Sequence, residues 1–251
     1  MSESEKKKNN KRNNKEKKNN KRNNKEKNNK GSILVICAHS DDQIIGVGGT
    51  MAKYAKEGYD VHTIILSFGE SVKPHVKREI IAKTRIKEAQ RADKIIGGKS
   101  VTFIGLRENH FEEDFKRRGI DKNLKKIIRK LRPAKIFTHS GDDAHPDHRA
   151  TFRIVLRMYK ESKLNADLYA FEVWHLFNIK KRNKPKLVVD TSNTFKTKMK
   201  ALKTFKSQID LSTFYNYLVL NNFLFFTIYI RDLINGIKHS TKYAEVFYKV
   251  R

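Results

Sequence analysis

Short runs of β-branched and apolar residues alternate with segments of helical spacing along almost the whole chain. This alternation constrains the fold more than any other feature. Ile33–Ala38 (ILVICA), Val61–Ser67, Val101–Ile104, Ala134–Thr138, Leu168–Val173 and Lys186–Val189 have the length and apolar character of buried parallel strands. Between and after them, Thr50–Lys56, Lys77–Ile96, Asn123–Leu131, Arg149–Lys160 and Phe195–Lys206 predict helices. Gly58 and Gly97-Gly98 follow two of these, and Pro133 a third. Strand and helix in regular alternation predict the α/β class, with a doubly wound, mainly parallel, Rossmann-like sheet. Such sheets bind ligands beyond the carboxyl ends of their strands, where the strand order reverses. Chemistry is therefore sought at the strand ends.

The first 30 residues stand apart. Lys7–Glu16 (KKNNKRNNKE) is repeated letter for letter at Lys17–Glu26, and the tract holds no apolar residue. It cannot bury enough surface to offset the entropy of ordering. Residues 1–30 are expected to be a disordered basic Lys/Asn-rich tail, and 31–251 one folded domain. Of the formal net charge of +28, the tail supplies +9, from 13 Lys or Arg against 4 Glu, so the body carries +19. That balance favours anionic partners: nucleic acid, an acidic membrane face or a phosphorylated substrate. The tail lacks aromatic residues for base stacking, so nucleic-acid contact through it would be nonspecific and salt-sensitive. Cys37 is the only cysteine, which excludes an intrachain disulfide and a cysteine-cluster metal site and fits a reducing, cytoplasmic setting. The most apolar stretch, Phe214–Ile230, spans 17 residues and includes Asn216, Asn221 and Asn222, too short and polar for a membrane-spanning helix.

Two strand ends concentrate the chemistry. The first strand runs into His39-Ser40-Asp41-Asp42-Gln43, and the fourth into His139-Ser140-Gly141-Asp142-Asp143-Ala144-His145-Pro146-Asp147-His148. Either cluster alone reads more simply as a polar turn or helix cap. Two such clusters, on strands able to neighbour each other at a switch point, supply the imidazoles and carboxylates that suit zinc. A catalytic zinc has three protein ligands and one open position; His39, Asp42 and His148 would fill the three, leaving Asp41 free as a base. His139 is an alternative ligand or an outer partner of the site, while His62 is read as structural and Cys37 as packing. His75, His110, His175 and His239 have no local partner pattern. Trp174 and the aromatic residues of Tyr215–Tyr229 are read first as a core edge, with an acceptor-sugar platform or a lipid-facing lip as alternatives. Gly46-Val47-Gly48-Gly49 lacks the third glycine of a dinucleotide fingerprint, and a pyrophosphate there would meet carboxylates. These glycines are expected to let the start of the helix approach the metal loop.

The chain resembles the LmbE-like, or PIG-L-type, N-acetylglucosaminyl deacetylases. Ala38–Gln43 (AHSDDQ) corresponds to the family's A-H-P-D-D-E, and His145–His148 is its H-P-D-H intact. Arg85–Glu88 is similar to its R-x-x-E helix and Phe103–Leu106 to its third strand. Further matches are Val189–Ser192, Lys198–Gln208 (KMKALKTFKSQ) and the terminal Tyr243–Phe247 (YAEVF). The likeness runs from about Ile33 to Phe247. It implies zinc on His39, Asp42 and His148, with Asp41 as general base. It also implies that His145 stabilises the oxyanion or protonates the leaving amine, that Asp143 orients His145, and that Arg85 contacts the sugar. Glu108 and Asn109 stand near a substrate-binding position. Ser40 for proline and Gln43 for glutamate depart from the motif.

The function implied is zinc-dependent hydrolysis of the N-acetyl amide of an N-acetylglucosamine-containing substrate, releasing acetate and a free amino sugar, with a phosphorylated or lipid-linked form as one candidate substrate. Two alternatives stand beside it: a nucleic-acid- or anionic-surface-associated protein using its basic tail and body, and a family member that cleaves another amide or has lost activity through Gln43.

Overall fold

A computed structural model describes residues 30–69, 77–173, 186–208 and 214–251. The tail reading, apart from Lys30, lies outside the described residues, as do His75, Trp174 and His175. The elements are β1 (Ser32–Cys37), α1 (Asp42–Lys56), β2 (Asp60–Ile65), α2 (Arg78–Ile96), β3 (Ser100–Phe103), α3 (Phe111–Arg117), α4 (Ile120–Leu131), β4 (Pro133–His139), α5 (Pro146–Ser162), β5 (Asp167–Phe171), β6 (Lys186–Asp190), α6 (Phe195–Leu202), α7 (Phe214–Lys238) and β7 (Ala244–Lys249). The six expected strands are present, each within two residues of its expected ends. With β7, which is not among the strands expected from the sequence, they form one seven-stranded sheet in the order β3-β2-β1-β4-β5-β7-β6. The first five in that order pair in parallel, and β7 runs antiparallel between β5 and β6. The fold is the expected doubly wound α/β sheet, and its order reverses between β1 and β4.

β1 explains why the sheet is sandwiched. Its inner residues are buried on both faces: Ile33, Val35 and Cys37 enter one core with residues of α1, α2 and α6, while Leu34, Ile36 and Ala38 enter the other with residues of α3, α4 and α5. A period of two sends alternate side chains to opposite faces, and both faces here meet helices.

Three helices begin earlier than expected, and two of the shifts, in α1 and α5, bear on the site. α1 starts at Asp42 rather than Thr50, so Gly46, Gly48 and Gly49 lie inside the helix rather than before it. The expectation for these glycines is corrected accordingly. A Cβ at Gly46 would collide with the ring of Phe171, and one at Gly49 would come within 2.8 Å of Thr191. The glycines bring the helix backbone against β5 and the segment after β6, and close packing outweighs their poor helix propensity. α5 starts at Pro146 rather than Arg149, with proline in its first turn and the His145 ring accepting the Asp147 N–H (3.1 Å). His148 therefore projects from a helical first turn, not from a loop.

α2 ends on Gly97 in the left-handed region (φ 82°), and Gly98 donates to the Asp93 carbonyl (2.8 Å). This turn presses the Asp93 carboxyl against the backbone of Gly98, and its Oδ1 is buried without a hydrogen-bond partner among the described residues. Burial pushes the Asp93 carboxyl from 3.8 up to about 7. The folded value lies above the unfolded one, so the stability from holding this proton is fully present below about pH 4 and is lost as pH rises through about 7. Asp93→Asn is therefore expected to melt higher than the parent at pH 8 and close to it at pH 4. Equal melting differences at the two pH values would refute the assignment.

Candidate active site

The switch point brings both clusters together. β1 pairs with β4 in register through Ile36↔Thr138, so the residues that leave the two strands emerge side by side. The β1 loop turns at once into α1, and this places Asp42 in the helix's first turn, 2 % exposed. Its Oδ2 accepts the His39 N–H (2.8 Å) and lies 3.4 Å from His39 Nδ1, 3.4 Å from His148 Nε2 and 3.2 Å from His139 Nε2. His139 is fully buried, and its Nε2 accepts the Ala38 N–H (3.0 Å), so that nitrogen is already engaged. Among the described residues, His39, Asp42 and His148 form one of three groups whose ligand atoms all lie within 4.8 Å of one another; the others are His39, His145 and Asp147, and His139, Asp143 and His148. Zinc ligands at about 2.0–2.1 Å in a tetrahedron are separated by roughly 3.4 Å. The 3.4 Å spacings from Asp42 to the two imidazoles fit such an ion.

The charges follow from this crowding. Burial would raise the Asp42 carboxyl, but His148 and His139 hold it well below the ordinary range. Burial opposes a charged His148, yet Asp42 and Asp143 bring it up to about 9. His39 is likewise opposed by burial and lifted to about 10 by Asp147 and Asp42. Asp41 behaves differently: burial and the charge of Asp42 push it up to about 6. Two adjacent aspartates are thus driven in opposite directions by their surroundings.

Asp143 departs from its expected part. Its Oδ1 lies 3.0 Å from His148 Nδ1 and accepts the main-chain N–H of His145 (2.9 Å), but it does not reach the His145 ring. Asp143 therefore faces the His148 ring rather than that of His145. The His145 ring is held by the Asp147 N–H, and it packs 4.7 Å from the His148 ring and 5.0 Å from that of His39. With Nδ1 accepting, a neutral His145 carries its proton on Nε2.

Asp147 was missed by sequence reasoning although it sits inside the H-P-D-H motif. It is 1 % exposed; Oδ2 lies 3.3 Å from His39 Nε2, and Oδ1 accepts the Asn109 N–H (2.8 Å). His39 therefore faces Asp42 with one nitrogen and Asp147 with the other, with Glu108 Oε1 at 4.0 Å. The loop bearing Glu108 and Asn109 is clamped by Arg107 on Asp114 (2.7 Å), and Asn109 turns through the left-handed region (φ 63°). A cavity of about 180 Å³ opens beside it, lined by Asn109, Phe111, Asp147 and Arg153. Arg85 is buried at 2 % exposure against Gly69, and its charge acts on Asp41. Glu88, one turn on, accepts from Ser207 N–H (2.8 Å) and Oγ (2.5 Å), tying α2 to the segment after α6. Gln43 donates to the Ser40 carbonyl (2.8 Å), a bond a glutamate carboxylate could not make.

The fold and this cluster define an α/β enzyme with a His/Asp group able to hold a metal ion. Residues 34–159 match the family described as GlcNAc-PI de-N-acetylase (PIG-L), and the chain belongs to that family. It is 28% identical over 189 residues to a diacetylchitobiose deacetylase of Thermococcus kodakarensis, covering 70% of this chain and 69% of that one. It is 29% identical over 130 residues to a probable N-acetyl-alpha-D-glucosaminyl L-malate deacetylase of Bacillus anthracis, covering 49% of this chain and 57% of the relative. Among solved structures, the N,N'-diacetylchitobiose deacetylase of Pyrococcus horikoshii superposes with a TM-score of 0.70 at 21% identity, covering 87% of this chain and 83% of that one. GalB, a 4-carboxy-2-hydroxymuconate hydratase of Pseudomonas putida, superposes with 0.72 at 22%, covering 88% and 96%.

Proposed function

We propose that this chain hydrolyses the N-acetyl amide of an N-acetylglucosamine-containing substrate, releasing acetate and a free amino sugar, with zinc held by His39, Asp42 and His148. The observation that carries this reading is the convergence of two imidazoles and one carboxylate beside a second carboxylate of different proton affinity. When bound, the metal supplies Lewis-acid polarisation of the amide carbonyl and a more acidic water.

The residues of the chain do the rest. Asp41 takes a proton from the attacking water, a task suited to a carboxylate raised towards neutrality. His145, donating a hydrogen bond from Nε2, stabilises the oxyanion, and the proton that Asp41 took from the water passes to the departing sugar nitrogen. Asp143 holds His148, and Asp147 holds His39 and the Asn109 turn. Arg85, Glu108 and Asn109 are assigned to the substrate side. The basic body suits a phosphorylated or lipid-linked aglycone.

A fold shared with a hydratase does not choose the reaction, because function lives in the site. Mass spectrometry of a panel of N-acetylglucosaminides after incubation with the zinc-loaded protein is expected to find loss of one acetyl group and release of acetate. Zinc-loaded protein that leaves the whole panel intact, yet adds water to an unsaturated acid, would overturn the deacetylase reading. Zinc is expected at about one per chain, three ligands plus an open position being the catalytic pattern. His148→Ala is expected to lose it on dialysis; unchanged metal content in that variant would remove His148 from the ligand set.

A further inference from the structure

Among the described residues, three of the four exposed large hydrophobic side chains lie on one helix that the proposed chemistry does not use, the fourth being Ile80 on α2. In the second half of α7, Phe226 is 60 % exposed and Ile237 69 %, and the half-buried Ile230 and Leu233 lie between them at helical spacing. The opposite side, with Ile228, Asp232 and Gly236, is buried. Tyr229, 39 % exposed, borders the strip and meets Phe195 (5.9 Å) and Tyr243 (5.7 Å), which stack on each other at 3.9 Å. Lys242 sits 5.7 Å over the Tyr243 ring.

The surroundings of this strip are cationic. Lys238 and Lys242 are exposed beside it. Through Phe195 it adjoins α6 and the segment after it, where Lys196, Lys200, Lys203 and Lys206 are exposed; residues 191–208 contain no Asp or Glu, and the exposed Asp190 lies just before them. An apolar strip with aromatic edges and a lysine rim is the pattern of a helix lying in a bilayer interface. No helix among the described residues is long and apolar enough to cross a membrane. The other occupants fit less well. The Lys/Asn repeat of the N-terminal tract has no apolar residue with which to cover the strip, and it carries the same charge as the rim. A second copy would bring two lysine rims together.

We propose that α7 docks this protein on an anionic phospholipid surface, with the Phe226–Ile237 strip in the headgroup–acyl boundary and the surrounding lysines against anionic headgroups. Arg231, in the same helix, donates to the carbonyls of Ile45 (2.6 Å) and Glu172 (3.3 Å), so the docking helix is fastened to the helix that starts at Asp42 and to the end of β5. Docking would hold the switch-point edge of the sheet near the lipid surface. The proposal does not depend on which reaction the site performs.

The test uses the full chain. Cys37 is fully buried, so Ile237→Cys can be labelled selectively with an environment-sensitive fluorophore. At physiological salt, vesicles of phosphatidylcholine with phosphatidylglycerol are expected to blue-shift the label, and vesicles of phosphatidylcholine alone are not. On unlabelled protein, the Phe226→Ser/Ile237→Ser variant is expected to lose roughly tenfold or more of its partitioning, from the apolar area removed. Lys238→Glu/Lys242→Glu is expected to weaken binding to the anionic vesicles, since each lysine near such a surface contributes to attraction. Co-sedimentation without a spectral shift, with both variants partitioning like the parent, would mean that the tail alone binds and would overturn the proposal. A shift that appears without lipid and grows with protein concentration would assign the strip to a second copy. An equal shift on neutral vesicles would remove the anionic surface.

Discussion

Asp41→Asn is expected to keep its metal and to lose roughly 10²–10⁴-fold of its turnover, the usual worth of a general base. Asp42→Asn is expected to fail differently, by losing the metal itself. The two residues are adjacent and chemically identical, so the contrast tests geometry alone. Asp42 lies in the first turn of α1 with its Oδ2 among three imidazole nitrogens, and His148 above all holds the carboxyl ionised against burial. A neutral amide oxygen there loses the charge that makes the group a zinc ligand. Asp41 precedes the helix; burial and the charge of Asp42 drive it towards protonation, and Arg85 opposes them more weakly. An amide at that position cannot take a proton from water. Zinc content and initial rate must be measured on the same preparations. Equal metal loss in both variants, or near-parental turnover in Asp41→Asn, would leave the general base unassigned.

The strands were legible because each is a short two-sided apolar run, and such a run in an α/β pattern has few other fates. The start of α1 was not, because Gly46, Gly48 and Gly49 read locally as a break. They are explained by Phe171 and Thr191, neighbours distant in sequence. α3 was invisible for a different reason: FEEDFKR is a seven-residue helix, too short for periodicity to register, yet Phe111 and Phe115 at i, i+4 anchor it in the core. In the site, the spacing of the two clusters gave the candidate ligands. It could not assign outer partners, since which imidazole a carboxylate orients depends on the turn before α5. The structure sets Asp143 against the His148 ring and Asp147 against His39, pairings that the spacing does not show. The acid within β7 was visible as Glu245 in AEVFYK, but its partners come from two helices.

That acid leads to the largest expected effect on stability. Lys198→Met is expected to destabilise the fold by about 3–5 kcal/mol, the cost of breaking a buried ion pair from one side. Lys198 Nζ lies 2.6 Å from Asp232 Oδ2 and 2.7 Å from Glu245 Oε1, and all three side chains are at most 2 % exposed. Arg231 Nε donates to Asp232 (3.1 Å), so two cations balance two carboxylates in a dry interior. Glu245 also accepts the N–H groups of Gly49 (3.0 Å) and Thr50 (2.7 Å), in the middle of α1. The network thus joins α6, α7 and β7, beyond the family-matched residues 34–159, to the helix that starts at Asp42. Methionine fills much of the lysine's volume but leaves one uncompensated negative charge between Asp232 and Glu245. Lys198→Met/Asp232→Asn restores neutrality and is expected to recover part of the loss, which a double-mutant cycle in urea measures. If Lys198→Met unfolds within about 1 kcal/mol of the parent, or the second substitution adds its own loss with no recovery, charge balance is not what holds the carboxyl-terminal segment to the site helix.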